Sequence, residues 1–343
     1  MSAAGSLPCA SFPGVTARDL VEVAHNLSAL DSGGRWAVAV TFEGAVTLAR
    51  FADWSDRPPM AAEIGRWHGP GIARWSDSLP EADYVAGVGR VRDRIAAGDV
   101  YQVNLCRVLN AALPDPGAGD PAALWRSLRE GNPAPFAGFL RIPGTAVVSA
   151  SPELFLRLAD GVMTSGPIKG TAVAESGLSD KDRAENVMIV DLIRNDLSRI
   201  CEPGSVEVPH LLRVETHPGL VHLVSYVSGA VIPGTSWPEV FAATFPPGSV
   251  SGAPKLAALS VIGELERVPR EFYCGAFGWI DVDAGTAELA VAIRSFWVRD
   301  GTVRFGTGAG ITWGSDANAE WAETELKARR LIRLASAPGM LSP

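Results

Sequence analysis

Runs of hydrophobic residues bounded by Gly and Pro predict short β-strands along most of the chain. Residues 36–42 and 45–48 form two such runs, and the Glu43-Gly44 step between them is typical of a hairpin. Further strand-like runs cover 100–109, 136–141, 145–150, 154–158, 162–164, 221–224, 275–282, 288–298 and 302–307. The stretches around 57–59, 68–71 and 114–117 are rich in Gly or Pro and predict loops.

Residue spacing and capping residues predict four helices, over 83–97, 122–129, 180–200 and 318–335. Gly98 follows the first helix at a position where helices commonly stop. Ser179 or Asp180 can cap the third helix, and Asp316 or Asn318 can cap the fourth. Because strands and helices come in clusters and not as a regular βαβ ladder, we expect an α+β fold.

Composition narrows the classes of function. The chain has 343 residues, 47% hydrophobic and 20% charged, which is ordinary for a globular protein with a sizeable core. Its formal net charge is −8 and it has no basic run, so we expect no nucleic-acid partner. Four scattered cysteines without CxxC spacing argue against a zinc site and a disulfide framework, and fit the cytoplasm. We see no signal peptide and no apolar run of about 18 residues, so we expect no membrane span.

Lys169 lies in the stretch SGPIKG, residues 165–170, between a Pro-Ile step and a glycine. One interpretation is a solvated lysine at the end of a strand. The other is a nucleophile held at the floor of a pocket, which requires chemistry elsewhere in the chain to support it.

Two of the predicted helices each place two carboxylates on one face. Asp182 and Glu185 are three residues apart, and so are Glu320 and Glu323. Two facing pairs of this kind suit a hard divalent cation such as Mg²⁺. The alternative is a solvated helix face on which Glu323 pairs with Lys327.

Three further elements each allow two interpretations. The glycines of 306–310 let backbone N–H groups approach an anion, or they form a tight turn. Arg294 follows the apolar run 289–293 and is either a carboxylate clamp or an ordinary strand-end residue. His222 is a catalyst or a hydrogen-bonded core residue. The stretch GSVSGAPK, 248–255, lacks the lysine position of a phosphate loop, so we exclude nucleotide binding there.

Ten stretches of the chain follow one another in a family-like order. They are YQVNLCR (101–107), SASPELFLR (149–157), GPIKGT (166–171), KDRAENVMIVDLIRNDL (181–197), VHLVS (221–225), FPPGSVSGAPK (245–255), CGAFGW (274–279), VAIRS (291–295), GTGAG (306–310) and AEWAETELKAR (319–329). This set resembles the chorismate-utilising enzymes, which include anthranilate synthase component I, aminodeoxychorismate synthase component I, isochorismate synthases and salicylate synthases. The resemblance covers about 80–335.

The resemblance implies a fold of two packed antiparallel β-sheets flanked by helices. It implies one chorismate-utilising unit over 1–343, with a β-rich N-terminal part over 1–79 and a catalytic core over 80–335. It also implies a Mg²⁺ ion, for which Glu185 and Glu323 match the direct ligands and Asp182 and Glu320 match supporting carboxylates.

The resemblance further implies roles in substrate handling. Glu153 matches the general acid that protonates the departing C4 hydroxyl of chorismate, and His222 matches a histidine near that hydroxyl. The positions that match groups holding or lining the substrate are Gly170, Thr171, Arg294, Gly308, Ala309, Gly310, Lys327 and Trp279. At the last of these, relatives usually carry Tyr.

Lys169 separates the branches of the family. Pro-Ile-Lys-Gly-Thr resembles the aminodeoxychorismate synthases, whereas anthranilate synthases typically have Ala in place of the lysine. Gln102 stands where salicylate and isochorismate enzymes have a lysine base, so water is not the expected nucleophile. We expect the neutral Lys169 amine to add at C2 while the C4 hydroxyl leaves, and ammonia then to replace it at C4. The alternative is a lysine that pairs with a carboxylate at the metal site.

The resemblance therefore implies amination of chorismate to 4-amino-4-deoxychorismate, the step before p-aminobenzoate and folate. A separate glutamine amidotransferase subunit would supply the ammonia. The alternatives are an anthranilate synthase component I or another chorismate enzyme, and a non-catalytic homologue that binds tryptophan or a partner. Leu30, Asp31 and Ser32, with Pro133 and Phe136, resemble a tryptophan pocket of relatives, and the other interpretation of them is a plain β-sandwich core.

Overall fold

The computed structural model describes residues 7–56, 65–114, 119–172, 174–217 and 220–336. Its helices are α1 Glu81–Ala96, α2 Pro121–Gly131, α3 Asp180–Ser198, α4 Trp237–Thr244, α5 Lys255–Leu265 and α6 Ala317–Ala335. Its strands are β1 Cys9–Phe12, β2 Val15–Ala24, β3 Arg35–Val40, β4 Val46–Ser55, β5 Ser76–Asp77, β6 Gln102–Ala112, β7 Phe136–Ile142, β8 Thr145–Ser151, β9 Leu154–Ala159, β10 Val162–Gly166, β11 Ile168–Ala172, β12 Glu207–His217, β13 Leu220–Ala230, β14 Gly252–Ala253, β15 Ala276–Asp281, β16 Thr286–Val291, β17 Ser295–Arg299 and β18 Thr302–Ile311.

The strands pair antiparallel in two long runs. The first run has the order β12-β13-β10-β9-β16-β15-β3-β4-β2, with β11 also paired to β13. The second has the order β1-β7-β8-β17-β18-β6, with β5 and β14 paired to β6. The β1–β2 hairpin joins the two runs, so hydrogen bonds link all 18 described strands. The α+β fold is confirmed.

Hydrophobic residues fill the space between the two runs and under the helices. Phe12 of β1 and Phe277 of β15 come from different runs, and their ring centroids are 5.4 Å apart. Trp125 of α2 stacks on Phe139 of β7, so α2 covers the outer side of the second run. Burial of these large aromatic rings is the main term that holds the layers together.

The predicted helices and most predicted strands are confirmed, with end points that shift by a few residues. Ser179 caps α3 and Asp316 caps α6, which decides between the alternatives in the sequence. The Glu43-Gly44 hairpin joins β3 and β4 as predicted. The predicted loop at 57–59 and most of the one at 114–117 lie outside the described residues.

One strand prediction and one turn alternative were wrong. The run 288–298 is not one strand, because the chain leaves β16 in the first run and enters β17 in the second. Arg294 lies in this crossover with φ of 52°, so it does not end a strand. The glycines of 306–310 are not a turn, since they lie inside β18 and pair with β6.

Candidate active site

Lys169 lies on β11 with its amine turned into the protein. Its Nζ donates a hydrogen bond to the Ser249 carbonyl oxygen at 3.0 Å. Gly310 of β18 lies close by, since a Cβ built there would be 3.5 Å from Nζ. The side chain is half-buried, so the interpretation of a fully solvated lysine is wrong.

Gly170 is the next residue and needs to be glycine for two reasons. Its φ of 85° lies in the left-handed region, which L side chains rarely adopt. A Cβ there would also come within 2.9 Å of the Asp182 Cβ in α3. Gly170 therefore lets β11 approach the acidic end of α3.

Glu153 lies between β8 and β9 and is only 4% exposed. Burial raises the pKa of this carboxyl to about 7, and a hydrogen bond from Ser249 and the Lys169 charge oppose the rise. Near neutral pH this group therefore holds a proton that an exposed glutamate would lose. Its position near Lys169 places an acid and an amine in one buried site.

Lys181, for which no role was predicted, contacts acidic residues of both α3 and α6. Lys181 Nζ donates to Glu320 Oε1 at 3.0 Å and lies 3.7 Å from Glu185 Oε1. Burial raises the pKa of Glu185, although the charges of Lys169 and Lys181 oppose this. The i, i+4 spacing of Lys181 and Glu185 was the available sequence signal for this pair.

The other two predicted metal carboxylates have partners of their own. Asp182 Oδ2 accepts hydrogen bonds from the Ser179 N–H at 2.8 Å and the Ser179 hydroxyl at 2.7 Å, which closes a capping box at the start of α3. Glu323 Oε1 lies 2.6 Å from Lys327 Nζ, and both side chains are about half exposed. Lys327 Nζ also donates to the Gly308 carbonyl oxygen at 3.0 Å, which ties α6 to β18.

The donor set fits a hard divalent cation in its chemistry. Carboxylate oxygens are ligands that Mg²⁺ prefers, and Glu185 Oε1 is buried without a hydrogen bond. Within the described ranges, however, no three acidic, histidine or cysteine side chains lie close enough together to hold a metal ion. The set therefore fits by donor type and charge, and side chains have to move before they can share an ion.

Gln102 is a further polar residue of the site. It is fully buried, and neither its amide nitrogen nor its amide oxygen has a hydrogen-bond partner among the described residues. A Cβ at Gly310 would overlap its Nε2. An unpaired buried amide is costly for folding, so the group is available to a ligand at this end of β18.

Other predicted substrate positions lie on strands around this point. Gly308, Ala309 and Gly310 pair with Cys106, Leu105 and Asn104 of β6. His222 is buried on β13, and its backbone lies opposite Thr171 of β11.

Arg294 and Trp279 differ in what surrounds them. Burial lowers the pKa of Arg294, and within the described part of the chain its guanidinium has no ion-pair partner, so it is available to an anion. The Trp279 ring instead lies 4.3 Å from the Arg35 guanidinium carbon in a cation–π contact.

The residues of the predicted tryptophan pocket lie in different surroundings. A cavity of about 350 Å³ is lined by Pro133 and by the β1–β2 turn, but not by Leu30, Asp31, Ser32 or Phe136. Leu30 is buried in the main core, whereas Asp31 and Ser32 are exposed.

No helix of the described chain has the length and apolar character needed to cross a membrane.

Among protein families, the chorismate binding enzymes match residues 61–333.

Relatives of two named activities are similar to the chain. Anthranilate synthase component 1 of Streptomyces coelicolor is 38% identical over 287 residues, which cover 80% of this chain and 55% of the relative. Aminodeoxychorismate synthase of Streptomyces pristinaespiralis is 38% identical over 321 residues, covering 89% of this chain and 44% of the relative. The chain thus spans about half the length of these curated relatives.

A solved structure with the same fold is anthranilate synthase component I from Streptococcus pneumoniae. It superposes with a TM-score of 0.76 at 26% identity and covers 88% of this chain and 80% of its own.

Proposed function

Because this chain belongs to the chorismate binding enzyme family, we propose that it aminates chorismate at C4 with ammonia to give 4-amino-4-deoxychorismate. The observation that supports this choice is the Lys169 amine, which points into the protein beside the buried carboxyl of Glu153. An amine in that position is a nucleophile with an acid at hand. The product leads to p-aminobenzoate and folate.

In the first step, Lys169 and Glu153 act together on the substrate. The neutral amine forms a bond from Nζ to C2, the ring double bonds shift, and the C4–oxygen bond breaks. Glu153 gives its proton to the departing oxygen, which leaves as water. A carboxyl with a pKa of about 7 suits this task, because the proton is present near neutral pH and is not held too tightly.

In the second step, ammonia takes the place of the lysine. Its nitrogen bonds to C4, the double bonds shift back, and the bond from C2 to Nζ breaks. The proton that ammonia loses restores the acid form of Glu153, so one ammonia is consumed and one water is released. Two displacements keep the configuration at C4.

Positive groups and backbone of the site orient the substrate carboxylates. Arg294 has a largely buried guanidinium without an ion-pair partner in the described structure, which suits a carboxylate. Lys327 is tied to β18 through the Gly308 carbonyl, so it is placed to meet a second carboxylate at the same strand. His222 would line the ring on the β13 side.

Glu185 and Glu323 would hold Mg²⁺, with Asp182 and Glu320 in support. When bound, the ion supplies charge neutralisation at the ring carboxylate and polarises the ring. Ammonia would come from a glutamine amidotransferase partner, as expected for a protein similar to a component 1 subunit.

The test is a product assay. Purified protein is incubated with chorismate, Mg²⁺ and ammonium, and products are separated by liquid chromatography with mass detection. We expect 4-amino-4-deoxychorismate, which a lyase converts to p-aminobenzoate. The similarity to anthranilate synthases makes anthranilate the rival product. Fluorescent anthranilate formed without added lyase would refute C4 amination.

A further inference from the structure

Lys181 links the acidic ends of α3 and α6. Its ammonium donates to Glu320 Oε1 at 3.0 Å and lies 3.7 Å from Glu185 Oε1. Glu185 stands four residues further along α3, and Glu320 is the acidic residue of the first turn of α6. One positive charge therefore compensates two carboxylates that come from different helices.

The Lys181 ammonium forms a hydrogen bond with only one of these two carboxylates. Glu320 Oε1 also accepts a hydrogen bond from the Ser315 hydroxyl at 2.6 Å, so this oxygen is well satisfied. Glu185 Oε1 is buried and accepts no hydrogen bond, because 3.7 Å is too long for one. Lys181 therefore leaves bonding capacity at Glu185 unused, unlike a structural ion pair that satisfies both partners.

Lys181 is also the member of this group that can leave. Its side chain is 44% exposed, against 13% for Glu185 and 5% for Glu320. A lysine stem with half its surface in water can swing outward, whereas the two carboxylates are held in the protein.

We propose that Lys181 is a stand-in cation, which has to leave before a divalent metal ion binds at Glu185, with Glu320 in support, and which thereby sets the metal affinity. This inference rests on the metal-binding role given to these carboxylates in the proposed function. An ion held at Glu185, with Glu320 in support, would draw on the carboxylates that Lys181 now compensates. Since like charges a few ångströms apart repel strongly in a partly buried site, metal ion and ammonium exclude each other.

The variant Lys181→Met tests this exchange, because Met keeps most of the stem and removes the charge. Mn²⁺ is titrated into the purified protein, and free Mn²⁺ is measured by electron paramagnetic resonance. We expect Mn²⁺ to bind about tenfold more tightly than to the wild type, because no ammonium has to be displaced. Lys181→Arg keeps the charge and should show no such gain.

Arg194→Met is the matched control. Arg194 lies on the same helix, pairs with Asp191 and is about half exposed, so the variant loses one positive charge away from the carboxylates. We expect its Mn²⁺ affinity to equal that of the wild type. A gain as large as that of Lys181→Met would mean that net charge alone is responsible, and would overturn the proposal.

A second measurement uses the wild-type protein, so it does not depend on how a variant folds. Reductive methylation of Lys181 is followed by mass spectrometry with and without Mn²⁺. We expect Mn²⁺ to speed the methylation, because the displaced amine turns into solvent. An unchanged rate, or an Mn²⁺ affinity in Lys181→Met equal to or below the wild-type value, would overturn the proposal. Neither measurement uses chorismate or ammonia, so a failure of C4 amination is seen separately.

Discussion

The proposed reaction needs Lys169 without its extra proton and Glu153 with its proton, and the fold explains the state of Glu153. Glu153 keeps its proton because it is 4% exposed, and burial penalises the carboxylate form. Lys169 has to act as a free amine, and the groups near it include the Ser249 carbonyl, a hydrogen-bond acceptor. At the scale of single residues, chemistry at this site therefore depends on where two protons reside.

The variant Lys169→Ala should abolish C4 amination while chorismate affinity stays within several-fold of the wild-type value. The reason is that Arg294 and Lys327 would bind the substrate without Lys169. Product formation and chorismate affinity are measured separately, by chromatography and by calorimetry.

Lys169→Arg distinguishes a nucleophile from a charge that pairs with a carboxylate. It keeps the positive charge but has no free amine, so it should be as inactive as the Ala variant. Amination by Lys169→Arg at a rate near the wild-type value would show that the covalent step is wrong.

The Glu153 carboxyl should make stability depend on pH. Its folded pKa of about 7 lies above the ordinary 4.5, so the folded chain keeps a proton that the unfolded chain loses between these values. This group's contribution is fully present below pH 4.5, and the free energy of unfolding should fall by about 3 kcal/mol as pH rises through 7.

Glu153→Gln should remove that fall, because the amide does not titrate. Urea unfolding at pH 5 and pH 8 measures it, with the exposed Glu130→Gln as control. The same variant should lose most activity. If its pH dependence of unfolding matched the wild type, burial of a protonated Glu153 would be wrong.

At the scale of elements, β18 is built around small residues on one face. Gly306, Gly308 and Gly310 alternate along it, and a Cβ on any of them would overlap a neighbouring group. The neighbours are Tyr273 at the first, Cys106 and the Leu105 carbonyl at the second, and Gln102 at the third. The three glycines lower the β-propensity of the strand, but they let neighbouring groups approach its backbone closely at the site.

Gly310→Ala should lower both stability and activity. The added methyl overlaps Gln102, so that side chain has to shift, whereas the distance of 3.5 Å to Lys169 Nζ is an ordinary van der Waals contact. Overpacking of this kind costs about 1–3 kcal/mol, and a shifted Gln102 with less free space beside the amine should reduce kcat at least tenfold. Urea unfolding and steady-state kinetics measure the two effects.

Gly314→Ala is the control for that change, since a Cβ there meets nothing within 4 Å. It should leave both stability and rate nearly unaltered. Equal effects of the two variants would show that the space at Gly310 has no special role.

The sequence predicted elements well where local signals were strong. α3 and α6 have a polar cap, carboxylates in the first turn and apolar positions in the middle, and both were found with near-correct bounds. The break between β16 and β17 at Arg294 was not predicted, because the residues before and after it are similarly buried. The hydrophobic pattern therefore shows no change at the point where the chain passes from the first strand run to the second. The glycines of β18 look like a turn until their partners on β6 are known.

At the scale of the whole molecule, buried Arg270 connects several elements. Its guanidinium donates to the Val250 carbonyl at 2.8 Å and the Asn104 carbonyl at 2.7 Å, and pairs with Glu266 at 2.6 Å. It also lies 4.2 Å from the Phe42 ring, next to β3. One side chain therefore bridges both strand runs and α5.

Arg270→Met should destabilise the chain by about 3–5 kcal/mol, because the buried Glu266 carboxylate loses its charge partner. The double variant Arg270→Met with Glu266→Gln should recover part of this loss, since no buried charge is left unpaired. Denaturant unfolding of the single and double variants measures the coupling. A double variant no more stable than Arg270→Met would contradict this account.

Residue spacing and hydrophobic periodicity alone could not predict which residues form the site. Glu153, Lys169, Glu185 and Gly310 lie on separate elements of the chain, and only the packing of strands and helices in the fold brings them together. The family resemblance placed them, but it gave no role to Lys181, whose contact with Glu320 joins positions 139 residues apart. Long-range ion pairs of this type leave no local pattern in the sequence.

The candidate site lies where β11 of the first strand run comes close to β18 of the second, and this has a consequence for drug-like molecules. A compound lodged between β11, β18 and the acidic helices would touch segments from the middle and the end of the chain at once. By mass action it would favour the folded chain over every form in which those segments separate. Inhibitors of the site should therefore raise the melting temperature, and a thermal-shift screen would detect them without any assay of turnover.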